Sequence, residues 1–189
     1  MTSCASTTVS YLTPKVHSVE LNRNPVRNDL YLTSNADLSG LPVTYQPEFA
    51  QMISDSLTAE FNKSLANAVK QTKDFKSVSV SLYKENQHTG ISLKTEMKIT
   101  PHPNFFTAIL TISTLSLFPH YIEFDYHLKC TFNKNGKDYY YEFDEKTSSW
   151  QGILVFGRDI VTEDRRTKKK VYENISKNLL LRLRKEKVI

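Results

Sequence analysis

Hydrophobic positions recur along this chain with two periods, and the change of period marks the elements. Phe49, Ile53, Leu57, Phe61, Leu65 and Val69 return every fourth residue, with Met52 and Ala68 widening the stripe. That spacing predicts an amphipathic helix from Pro47 to about Gln71. Proline suits a first helical position, and Glu48 in the first turn suits the helix dipole. A second stripe, Val171, Ile175, Leu179 and Leu183, predicts a helix beginning near Glu163 with a basic outer face. Elsewhere the period is two. Val78, Val80 and Leu82 form one strand pattern, and Ile91, Leu93, Thr95, Met97 and Ile99 form another, with a hairpin expected across Glu85–Gly90. Ile122, Phe124, Tyr126, Leu128, Cys130 and Phe132 alternate up to Asn135-Gly136, a positive-φ turn pair, after which Tyr139, Tyr141 and Phe143 return on one face. Shorter alternating pieces lie at Val16–Val19 and Asp29–Leu32, and Trp150 with Ile153–Phe156 reads as a last strand or helix start.

One run fits neither period. Phe105 to Phe118 is apolar or hydroxylic throughout, between Pro101-His102-Pro103-Asn104 and Pro119. It is about 14 residues long, short of the roughly 18 that span a membrane. Its form is open between a buried helix, a strand pair and an interfacial loop, and a buried sheet element is the ordinary reading of such a run. The functional reading is an exposed patch for membrane or protein contact.

This order predicts an α+β fold, a mostly antiparallel sheet with two amphipathic helices packed on one face. The 189 residues, 39% hydrophobic and 24% charged, suit one globular domain with a substantial core. Residues 1–25 and their surroundings are rich in Ser, Thr, Asn and Pro and read as a tether; residues 26–189 read as the domain. Cys130 falls on the apolar side of its strand, where a buried thiol is unremarkable. In an oxidising compartment it could pair with Cys4, the other cysteine. Lipid on Cys4, the preferred reading, leaves Cys130 unpaired.

Charge is placed unevenly. The formal net charge is +5, yet Arg158–Lys187 alone holds 11 Lys/Arg against 5 Asp/Glu. The rest of the chain is close to neutral. Arg165, Arg166, Lys168, Lys169, Lys170, Arg182 and Arg184 are the candidate contacts with an anionic surface. A solvated helix face is the bland explanation. Salt-sensitive binding to nucleic acid is the rival function, that of a cytosolic protein using this helix. Tyr140 is a possible base-stacking platform, since alternation turns Tyr139 and Tyr141 inward.

Catalytic signals are weak. Glu123, Asp125 and His127 share a strand face at two-residue spacing and could hold a divalent metal, but a polar sheet face explains them equally. His102 and His120 flank the apolar run. No serine sits in a G-x-S-x-G elbow, and the five glycines are scattered rather than gathered into a phosphate loop. The sequence therefore points away from an enzyme, with no cofactor and no metal assigned.

Two regions resemble small Gram-negative envelope lipoproteins. One is Thr2-Ser3-Cys4-Ala5. The other is Ile112-Ser113-Thr114-Leu115-Ser116-Leu117-Phe118-Pro119-His120-Tyr121, followed by a tyrosine-rich hairpin, a tryptophan and a terminal amphipathic helix. The resemblance implies a removed signal peptide and acyl chains, palmitate among them, on Cys4. Ala5 behind the cysteine, rather than aspartate, implies sorting to the outer membrane on its periplasmic side. It further implies a non-catalytic binding or assembly module held at the membrane through Cys4, serving an envelope protein partner rather than nucleic acid.

Overall fold

A computed structural model describes residues 8–10, 12–20, 28–37, 47–81, 91–114, 118, 120–151 and 158–189. Among these residues, six strands and three helices follow the chain in the order β1 (Thr8–Ser10), β2 (Leu30–Asp37), α1 (Pro47–Thr72), β3 (Val78–Ser81), β4 (Ile91–Pro103), α2 (Phe105–Ser113), β5 (His120–Lys134), β6 (Lys137–Gln151) and α3 (Arg158–Lys185). They build one sheet in the order β1-β6-β5-β4-β2-β3. Its β1, β6, β5 and β4 side is antiparallel, while β2 lies parallel to both β4 and β3. The α+β class and the mostly antiparallel sheet are as the sequence predicts.

The long β5–β6 hairpin turns at Asn135 (φ 55°) and Gly136 (φ 77°), the left-handed pair that matches strand twist. Burial alternates strictly along β4, with Ile91, Leu93, Thr95, Met97 and Ile99 all inside. Tyr126, Leu128, Cys130 and Phe132 of β5 and Tyr141 and Phe143 of β6 complete the same face. Against it lie Leu57, Phe61, Leu65 and Val69 of α1 with Val171, Ile175, Leu179 and Leu183 of α3, the two stripes read from the sequence. Tyr172 binds the layers together, its ring edge-on to Phe61 (5.5 Å) and to Tyr126 (6.3 Å). Tyr140 points outward, 74% exposed, as alternation requires.

The opposite face of the sheet is polar and carries cross-strand ion pairs, among them Lys129–Glu142 and Lys146–Asp125. A sheet packed on one side only gives this alternation.

Four expectations change. No hairpin joins β3 to β4: β2 lies between them and pairs with both in parallel. Helix α1 carries the chain across from β2 to β3, and such a crossover delivers a parallel strand. The central place goes to β2 because Leu30, Leu32, Ser34 and Ala36 are all buried, whereas Val80 of β3 is half exposed, as on an edge. Second, Pro101-His102-Pro103, expected from its two prolines to break the chain, is instead the last stretch of β4, which runs to Pro103. Among the described residues the β2 ladder ends at Asp37–Lys98, short of both prolines, which stand two residues apart and lack a ladder donor. Third, Val16–Val19 is not a strand, while Thr8–Ser10 is one, pairing antiparallel with β6. Fourth, Phe105–Ser113 is a third helix, and it is not buried. Leu82 and Ile153–Phe156 lie outside the described residues.

Candidate functional site

Helix α2 is built inside out. In a helix on a soluble domain the apolar stripe faces the protein. Here Phe105 (79% exposed), Phe106 (70%), Ile109 (48%) and Ile112 (77%) form a stripe at three- and four-residue spacing that faces solvent. Phe118 beyond the helix is also exposed. The opposite stripe, Thr107, Thr111 and Thr114, is turned toward the protein, with Thr107 buried. Threonines can occupy that side because their hydroxyls donate back to the helix: Thr111 Oγ1 to the Thr107 carbonyl (2.7 Å) and Thr114 Oγ1 to the Leu110 carbonyl (2.6 Å).

The helix is fixed at its start. Asn104 is the N-cap, its side-chain oxygen accepting from Thr107 N at 3.1 Å. The Asn104 amide donates to the Tyr121 carbonyl (3.0 Å), and Tyr121 N donates to Thr107 Oγ1 (3.1 Å). α2 is thereby riveted to the first residues of β5, and its Phe/Ile stripe is presented rather than loosely displayed. No Asp, Glu, Lys or Arg occurs from Phe105 to Phe118. The preference for a buried sheet element in this run is corrected: an N-cap asparagine followed by threonines at helical spacing outweighs the run's bulk hydrophobicity.

The register places other features at the same end of the sheet. Tyr121 lies opposite Trp150, near the end of β6. Thr8, where β1 begins, lies opposite Ser148, and Ser10 opposite Lys146, so the chain enters β1 from the α2 end. Beyond β1 the chain is pinned down. Leu12 N donates to Glu145 Oε2 (3.0 Å), Thr13 Oγ1 donates to Glu145 Oε1, and Asn174 Nδ2 donates to Glu145 Oε1 (2.8 Å). Glu145 is fully buried, so these donors replace its water. Val16 N to Asn174 Oδ1 (2.9 Å) and Asn178 Nδ2 to the Pro14 carbonyl (2.9 Å) hold the next residues on α3. This stretch of the segment expected to be a tether is anchored to the body. Cys4 lies outside the described residues.

The basic residues divide along α3. Arg184 is a structural clamp: Nε and Nη2 donate to the two carboxylate oxygens of buried Asp74 at 2.9 and 3.0 Å, and Nη1 donates to the Glu20 carbonyl (2.6 Å). The Arg182 guanidinium lies 4.7 Å over the Phe143 ring. Lys169 pairs with Glu173 (3.7 Å) in a cleft between α1 and α3 that Glu60 and Lys63 also line. Arg166 and Lys170 are exposed and Lys168 is half-buried; the Arg165 side chain is outside the described residues. Asn174 sits level with Glu145 and Arg182 with Glu142, so α3 runs against β6 and the Arg165–Lys170 cluster, about one to two and a half turns before Asn174, lies nearer the α2 end of β6.

Glu123, Asp125 and His127 do not converge. Tyr121 OH donates to Glu123 (2.9 Å), Asp125 meets His102 Nε2 (2.8 Å) and Lys146 (3.4 Å), and His127 Nδ1 meets Asp144 (2.7 Å). Each finds a cross-strand or same-face partner instead. Among the described residues no group of three or more His, Cys, Asp or Glu could hold a metal. Cys130 is a free, buried thiol whose pKa burial pushes up to about 12.

No family model and no curated protein matches the chain. Solved structures of similar outline include a neuraminyllactose-binding hemagglutinin homolog from Helicobacter pylori, 12% identical, covering 87% of each chain with a TM-score of 0.44. The rare lipoprotein B from Shewanella oneidensis is 12% identical over 85% of this chain and 97% of its own, with a TM-score of 0.44. A DUF330 protein from Xanthomonas campestris is 11% identical over 93% and 97%, with a TM-score of 0.45. At that level of likeness no residue role passes from them to this chain.

Proposed function

We infer that this protein is a lipid-anchored envelope lipoprotein, attached through Cys4 and acting as a non-catalytic binding or assembly module at the periplasmic side of the outer membrane. The observation that carries the reading is α2: four large apolar side chains of one helix face solvent while its threonines face the protein. Displaying such a stripe costs solubility, and exposed apolar patches mark contact with a membrane or a protein. The Cys4-Ala5 lipobox-like start supplies the anchor. The described polar clusters are paired across strands rather than gathered around a reactive group.

The nucleic-acid alternative needs a continuous basic face. Its candidates are separated, with Arg182 and Arg184 near the C-terminal end of α3 and engaged with Phe143 and Asp74. The deciding experiment is intact mass of the protein isolated from its native envelope. A chain ending at acylated Cys4 is the expected result. An unacylated chain retaining Met1, with salt-dependent RNA or DNA retention, overturns the reading in favour of the rival.

A further inference from the structure

We propose that α2 is a second membrane contact: its Phe105, Phe106, Ile109 and Ile112 stripe inserts among the lipids of the bilayer to which Cys4 is tied. The proposal rests on the lipoprotein reading for the anchor, and on geometry for everything else.

Reach is the first argument. Thr8 is the fourth residue after Cys4, so Cys4 lies within ~14 Å of Thr8 along any path. Thr8 is opposite Ser148, two positions along β6 from Trp150, and Trp150 faces Tyr121, where α2 is riveted. Two strand spacings across and two residues along put the start of β1 about 12 Å from that rivet. An acyl chain on Cys4 therefore enters the bilayer no more than ~26 Å from the start of α2. A bilayer that receives one receives both.

Charge is the second. An uncharged stripe backed by threonines complements the acyl region, not an anionic surface. Partition of α2 is consequently insensitive to salt. Arg166, Lys168 and Lys170, on the part of α3 nearer this end, are placed to meet headgroups instead, a salt-sensitive increment. Burial of the stripe also adds the second signal that stable anchoring requires when acylation is incomplete. The resulting pose stands the strands away from the bilayer, with the Asn135–Gly136 turn and Tyr140 at the far end.

The test separates this contact from the anchor. A full-length chain carrying Cys4→Ser and a histidine tag in front of the N-terminus is held on vesicles of phosphatidylethanolamine and phosphatidylglycerol containing a nickel-chelating lipid. A fluorophore is placed at Ile109→Cys or, as control, Tyr140→Cys; burial keeps Cys130 from competing for the label. Brominated lipid is expected to quench the label at 109 at least tenfold more than the label at 140, unchanged by high salt. In flotation without the nickel lipid, Phe106→Ser with Ile112→Ser should lower vesicle recovery tenfold or more. Both sites are exposed, so the thermal melt should stay put. Equal quenching at 109 and 140 overturns the proposal, as does photocrosslinking from position 109 in intact envelopes to a protein instead of lipid. An unacylated native chain whose α2 still inserts would sink the lipoprotein reading and the reach argument, and leave α2 as a membrane contact without the anchor. An acylated chain with no quenching at 109 would do the reverse.

Discussion

At the scale of residues, the structure distinguishes charges that hold the fold from charges that face water. Asp74 is fully buried, accepts from Thr72 Oγ1 (2.6 Å) and receives the Arg184 fork. Asp74→Ala would strand that guanidinium, 19% exposed, with half its partners gone. The expected loss is about 3 kcal/mol in a urea titration. Arg184 illustrates what the sequence hides. It reads as one more cation in a basic run, because nothing local reveals a buried aspartate over a hundred positions away. Cys130, by contrast, is legible from strand alternation. Its ordinary pKa of 9.0 rises to about 12, since burial penalises the thiolate. The native thiol should therefore resist alkylation at pH 8 and react once urea unfolds the chain. The raised folded value also fixes a sign: its stabilising contribution is complete below pH 9 and is lost as pH climbs toward 12. Tyr141 adds to this in the same sense at higher pH, its pKa lifted by burial and by the Glu186 carboxylate 2.8 Å away. Melting temperature measured against pH should fall on the alkaline side from about pH 9.

Among the elements, α1, α3 and the β5–β6 hairpin were legible because each has a long, single-period pattern, with a start signal at Pro47 for α1 and a turn signal at Asn135-Gly136 for the hairpin. The departures come where pairing is decided by distant chain. A short β3 followed by β4 reads as a hairpin until β2, forty or more residues upstream, claims the space between them. β1, three residues long, offers too little periodicity to be seen at all. For α2 the departure lies in exposure, since a helix is among the forms open to its run. Its length was legible, and so were the asparagine and threonines that start it, but composition alone does not reveal which stripe of an amphipathic helix faces inward. Asn104→Ala removes the cap and should cost α2 about 1 kcal/mol locally. Amide exchange should quicken in Phe105–Ser113 while the global melt barely moves, because α2 contributes no large side chain to the core. Thr107→Val, which deletes the hydroxyl joining α2 to Tyr121, should act in the same direction.

For the molecule as a whole, the candidate site was only half visible: its chemistry lies in one run of sequence, but its meaning depends on which end of the sheet it occupies. The register of β1 on β6 supplies that, and the sequence carries no trace of it. The same register decides how the fold answers a pull. Tension applied through the residues before Thr8 runs along the axis of β1, beside antiparallel β6, so the β1–β6 bonds are loaded together in shear instead of opening one after another like a zipper. Directly behind them, the buried Glu145 knot ties Leu12 and Thr13 to β6 and, through Asn174, to the longest helix. Asn174→Ala should turn that strap into a protease-sensitive segment between Leu12 and Glu20, seen as an early cut in limited trypsin digestion at Lys15. A short edge strand at the N-terminus is thus a mooring: it passes load from the leading residues into the helical layer and spares the hairpin.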